Sequence, residues 1–186
     1  MAKQDFKGKA TIVKETFPSE MVSIIGDILA GLLLSLLILP FKSFIILILI
    51  IPALLSLRGN ISGPFIARTS RDLIVGEFDK QSWSENVLAT FTLSIVSALL
   101  IGFLSIFLNI LLLKELSLSI QILLLIPVIS ILFTLIISIP CSTGLNYLAF
   151  KRGLDPNNLV NPIMTAIDDF STVICFYLTL ILLGVP

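Results

Sequence analysis

The sequence predicts an all-α membrane protein with five transmembrane helices, and three observations carry that prediction. Of 186 residues, 56% are hydrophobic and only 13% charged, and the mean hydropathy is +1.09. The apolar residues gather into uncharged runs that reach the roughly 20 residues a helix needs to cross a bilayer. The Lys and Arg residues fall between alternate runs rather than evenly along the chain. Little length is left for a soluble domain. A net charge of zero gives no electrostatic basis for a nucleic-acid partner, so the lipid bilayer is the expected surrounding.

Residues 1–20 read as a short polar tail carrying Lys3, Lys7, Lys9 and Lys14. They lack the apolar core and small-residue cleavage site of a removable signal peptide. Residues 21–186 read as the transmembrane domain. Segment one runs from Met21 to Leu39 and ends at Pro40. Segment two runs from Ser43 to Ile74, with interruptions expected at Arg58-Gly59-Asn60 and Gly63-Pro64. Segment three spans Glu85 to Leu113, segment four Leu118 to Phe150, and segment five Val160 to Leu183. Segments two and four are too long for an upright crossing: about thirty residues at about 1.5 Å each give roughly 45 Å, against a hydrocarbon core of about 30 Å. Both are expected to be broken or kinked, with Pro64, Pro127 and Pro140 as bend points, because proline removes a backbone donor and clashes with the preceding turn. Cys141 and Cys175 lie in apolar segments with no second Cys or His nearby, so they read as inert packing residues rather than metal ligands.

Charge placement sets the expected orientation. Lys3, Lys7, Lys9, Lys14, Arg68, Arg71, Lys80, Lys151 and Arg152 fall on one side, and Lys42 and Lys114 on the other. Lys and Arg favour cytoplasmic loops, so the N-terminus is expected in the cytoplasm and, after five crossings, the C-terminus outside.

The functional reading begins with Asp168-Asp169, a carboxylate pair inside segment five. An acidic side chain within hydrocarbon is costly and is expected to face a wet cavity, an ion or a partner, which makes cation passage the leading hypothesis. The plainer reading is a pairing with an Arg inside the bundle. Asn161, Thr165 and Asp168 share a stripe by i, i+4 and i+3 spacing. Asp169 is rotated about 100° from Asp168, so the two carboxylates do not point at one site, and periodicity does not say which faces a pore. In segment two, irregular backbone at Gly59, Asn60 and Gly63 would offer oxygen ligands for a hard cation. Gly59 and Gly63 equally suit a close helix contact. In segment one, Asp27 follows Gly26. Pairing with Arg58 or an Arg of the following loop is the preferred reading for it, and a cation mouth the other. With no His in the chain, Ser/His and Cys/His catalysis is excluded.

Two stretches carry a resemblance to a known family. One is Pro52-Ala53-Leu54-Leu55-Ser56-Leu57-Arg58-Gly59-Asn60, continuing to Arg68 and Arg71. The other is Gly153-Leu154-Asp155-Pro156, then Asn161-Pro162, then Asp169 eight residues after that Asn. In this order and spacing they resemble the membrane domain of the MgtE family of magnesium transporters, including its eukaryotic solute-carrier relatives. The resemblance implies two five-helix units paired about a two-fold axis, with a central pore lined by the second and fifth helices. It implies Asp169 as the primary Mg²⁺ ligand, Asn161 at the cytoplasmic mouth and Asn60 lining the pore. Asp168 departs from the small polar residue of many relatives. One five-helix unit per chain implies a homodimer or pairing with a sister subunit, without the cytoplasmic sensor domain of bacterial relatives.

The expected function is therefore transport of divalent cations, Mg²⁺ foremost, across the cell membrane, and not enzymatic catalysis. Asp169, Asn161, Asn60, Thr165, Asp168 and Asp27 are the candidate ion-site residues. A Na⁺-coupled exchanger is the alternative within transport, and a non-transporting scaffold subunit the alternative outside it. An intramembrane hydrolase would require Asp27 and Asp169 to approach within hydrogen-bonding distance.

Overall fold

The computed structural model describes residues 9–36, 38–114 and 118–185. These form helices α1 (Lys9–Leu36), α2 (Ile38–Ser43), α3 (Ile46–Val75), α4 (Lys80–Leu108), α5 (Ile120–Lys151) and α6 (Pro156–Leu182), with a π-helical turn at Asn109–Leu113. Five helices are long and apolar enough to cross a membrane, and the chain is a multi-pass membrane protein. Segments one to five correspond to α1, α3, α4, α5 and α6.

Helix termini follow from local chemistry. Gly76 closes α3 in the left-handed region (φ 82°), and its N–H reaches the Asp72 carbonyl. Asp79 caps α4 by accepting from the Ser82 N–H at 2.7 Å. The Gly153-Leu154-Asp155-Pro156 motif ends one helix and starts the next. Gly153 takes a positive φ of 71°, and the Leu154 N–H bonds the Ala149 carbonyl at 3.0 Å. Asp155 then accepts from the Asn157 N–H at 3.0 Å, with Pro156 at the first helical position, where no N–H is needed.

Two expectations are corrected. The first helix begins at Lys9 rather than Met21, so much of the presumed tail is helical. Its early turns have a tertiary partner that composition does not reveal: Ser19 Oγ lies 3.2 Å from the Asn158 carbonyl of α6. That carbonyl lacks its helical donor because Pro162 stands four residues on. The second correction concerns the breaks. Both α3 and α5 are continuous helices, and no interruption occurs at Arg58-Gly59-Asn60 or Gly63-Pro64. In a bilayer no water competes for the backbone, so glycines and isolated prolines are tolerated in a helix whose neighbours pack against it. Arg68 and Arg71 lie in the last turns of α3.

α6 is central, packed against α1, α3 and α5, while α4 packs on α3 and α5. One apolar cluster contains Leu47, Ile50, Leu54, Leu123, Ile126, Phe176 and Leu180. A second contains Ile66, Ala149, Val160 and Met164. Between them along α3 and α6 lies a polar girdle at Arg58, Ser62 and Asp168, one turn from Leu54 and Ile66 on α3 and from Met164 on α6. α4 is built inside out. Its buried residues are Thr90, Ser94, Ala98, Gly102 and Ser105, while Leu93, Leu100, Phe103, Leu104 and Phe107 face outward. Small residues let helices approach where lipid tails supply no hydrophobic drive between them. A Cβ on Gly102 would stand 3.1 Å from Leu124 Cα and 3.3 Å from the Leu123 carbonyl.

Candidate functional site

The two adjacent aspartates of α6 have separate environments. Asp168 turns into the bundle, 2% exposed, and its Oδ2 lies 2.8 Å from Arg58 Nη2. Ser62 Oγ donates to the same carboxylate oxygen, and Arg58 Nη2 also donates to Ser62 Oγ (2.9 Å) and to Ser138 Oγ. Arg58 is 1% exposed. Thus α3, α5 and α6 are tied at one level by an ion pair and two hydroxyls. Of the two pairings preferred for Asp27, the one with Arg58 is corrected: Arg58 is taken by Asp168. The expectation failed because helix rotation and register, rather than sequence, select between two acidic residues on different helices.

Asp169, one residue on, is half-buried, and its carboxyl lies within hydrogen-bonding reach of the Asp27 carboxyl on α1. A close helix contact produces this approach. A Cβ built on Gly26 would fall 2.3 Å from the Ala166 Cβ, so α1 and α6 touch where Gly26 has no side chain. Asp27 follows Gly26, and Asp169 is three residues from Ala166, so the crossing delivers both carboxyls to the same place. Asp27 is exposed, as are Thr165 and Asn161. Thr165 Oγ donates to the Asn161 carbonyl at 3.0 Å, which holds this polar stripe of α6 in order. Asn60 of α3 is also exposed. Gly63, one turn further along, lies beside Asn161: its added Cβ would sit 3.8 Å from Asn161 Oδ1.

The structure therefore brings Asp27 to Asp169 and sets Thr165 and Asn161 along one outward strip of α6, with Gly63 of α3 alongside. It places Asp168 apart from them, on the inner face. Two carboxyls with amide and hydroxyl groups make an oxygen-only surface, the donor set preferred by hard divalent cations. Among the described residues, no three His, Cys, Asp or Glu side chains group into a metal-holding cluster.

Sequence reasoning missed Ser62 and Ser138. The available signal was Ser62 four residues after Arg58 on one helix face. It also missed a polar joint between α3 and α4, where Asp72 accepts from Ser82 Oγ and from Asn86 Nδ2 (3.2 Å), and Asn86 Oδ1 accepts from Arg68 Nε (2.8 Å).

Comparison with known families gives a match to the MgtE family, described as a divalent cation transporter, over residues 51–179. That range includes Asn60, Asn161, Thr165, Asp168 and Asp169. No curated protein matches the chain.

Proposed function

The chain belongs to the MgtE divalent cation transporter family, and from that premise we propose that it passes Mg²⁺ across the cell membrane as a homodimer, through a pore lined by α3 and α6. The observation that carries this reading is the acidic pair Asp27–Asp169 on an open face of the bundle. Such a face is incompatible with lipid unless water, an ion or a second protomer covers it. A two-fold partner would double the carboxylates and close the strip.

In this arrangement Asp169 is the primary ligand and Asp27 the second carboxylate of each protomer. Thr165 and Asn161 lead toward the cytoplasmic mouth, and Asn60 lines the wall supplied by α3. Mg²⁺ gives up its waters reluctantly and requires near-octahedral geometry, so carboxylates gripping the hydrated ion through its water shell avoid most of the dehydration cost. Asp168 serves structure, its charge being met by Arg58. The charge bias described above puts the N-terminus in the cytoplasm and the C-terminus outside.

The experiment is uptake into liposomes that hold a Mg²⁺-sensitive dye, with the purified chain and with Asp169→Ala. Uptake lost in the variant supports the reading, and equal uptake by both overturns Asp169 as ligand. A current reversing at the Mg²⁺ equilibrium potential distinguishes a channel from a Na⁺-coupled exchanger. Uptake by neither protein indicates a required sister subunit or a scaffold role. The Asp27–Asp169 approach also meets the geometric condition for an intramembrane aspartyl hydrolase, in which two carboxyls share a proton. Family membership favours transport, and a hydrolase would leave uptake at the protein-free level.

A further inference from the structure

The Arg58–Asp168 pair is a single-point contact. Arg58 Nη2 alone serves Asp168, Ser62 and Ser138, while Nε and Nη1 of the same guanidinium have no partner. On the acidic side, Asp168 Oδ2 takes both Arg58 and Ser62, and Oδ1 has none. Thr172 Oγ1, one turn along α6 on the same stripe, is likewise buried and unpartnered. All three residues are more than nine-tenths buried. Polar atoms in this position are rarely left without a partner, and for charged groups the penalty is large.

We propose that Arg58, Asp168 and Thr172 enclose a site for ordered water in the middle of the bundle. The chemistry of the orphaned atoms selects the ligand. Arg58 offers N–H donors and Asp168 Oδ1 is an acceptor, so the occupant must both accept and donate. An anion would satisfy only the arginine and be repelled by Asp168. A metal cation would satisfy only the carboxylate and be repelled by Arg58. Water satisfies both, and buried waters make about three hydrogen bonds to groups of this kind. The site is distinct from the outward Asp27–Asp169 strip and does not depend on what that strip carries. It explains how two full charges persist in the interior through a contact that uses one nitrogen and one oxygen.

Cys175 is a built-in reporter. It is 2% exposed and stands one turn beyond Thr172 along α6. Hydroxyl radicals made by X-ray radiolysis of water label side chains that touch water, including buried water. In aerated buffer the folded full-length protein is expected to gain oxygen at Cys175: the radical takes the thiol hydrogen and leaves as water, and dissolved O₂ adds to the thiyl radical. The label is expected to be lost in the double variant Arg58→Met, Asp168→Leu, which keeps apolar volume and removes the groups that hold the water. Thr172→Val, which removes one partner at nearly constant shape, is expected to reduce it and serves alone if the double variant does not fold. No label at Cys175 in the unaltered protein overturns the proposal. So does a label that the substitutions leave unchanged, since water would then be reaching Cys175 by another route.

Discussion

Asp168 and Asp169 are neighbours in the chain, yet their carboxyls belong to different parts of the molecule. Asp168 is enclosed between α3, α5 and α6 and is neutralised by Arg58. Asp169 emerges toward α1, where it meets another carboxyl, that of Asp27. The rotation of about 100° per residue along a helix separates them. An acidic residue at membrane depth is thus not by itself a sign of ion binding. What decides is whether the neighbouring helix supplies a countercharge or a like charge. The inner pair sets opposite charges together through one nitrogen and one oxygen. The outer pair sets two carboxyls together.

The contrast can be broken from either side. Arg58→Ala leaves Asp168 buried without a countercharge and should destabilise the fold by about 3–5 kcal/mol. The measurement is chemical unfolding in detergent. Replacing both partners by apolar residues should recover most of that loss, since an apolar pair of similar volume is often neutral or better. If Arg58→Ala unfolds with an unchanged midpoint, the pair is not a structural tie.

Gly26→Ala acts on the outer pair from behind. Its methyl must displace Ala166, at a cost of about 1–3 kcal/mol for overpacking. It should also part Asp27 from Asp169 and reduce Mg²⁺ uptake by more than the stability loss accounts for. Full uptake at normal expression would show that the helix crossing does not set the site. Asp27→Asn should have the smallest effect on the fold, within about 0.5 kcal/mol for an exposed side chain. Its signature is a higher Mg²⁺ concentration for half-maximal uptake, and an unchanged concentration dependence would remove Asp27 from the site.

Much of the architecture was legible without coordinates. The five spans follow from runs of apolar residues. The turn between α5 and α6 follows from Gly153, Asp155 and Pro156, whose backbone preferences act over a few residues. What was misread depends on contacts between helices. Gly59, Asn60, Gly63 and Pro64 look like a break when read locally, but the helix runs through them, since a bilayer offers the backbone no competing partner. Lys9 to Glu20 look like a tail because their polarity is visible and their contact with Asn158 is not. The choice of Asp169 over Asp168 as ion ligand came from the family resemblance, since periodicity alone left it open. The assignment of Arg58 to Asp27 failed for the same reason: residues 110 positions apart, Arg58 and Asp168, meet only once helix register is set.

The inside-out build of α4 has a consequence for how this chain tolerates change. Along its lipid face, Leu93, Leu100, Phe103 and Phe107 are interchangeable in kind, since any large apolar side chain serves a fluid neighbour. Along its inner face, Ala98 is fully buried and Gly102 is constrained by size rather than by polarity, with backbone atoms of α5 standing close to where a methyl would go. Drift in α4 should therefore follow an inverted pattern, with bulky positions wandering freely while the smallest residues stay put. The least conspicuous side chains of the helix are the ones that hold its place.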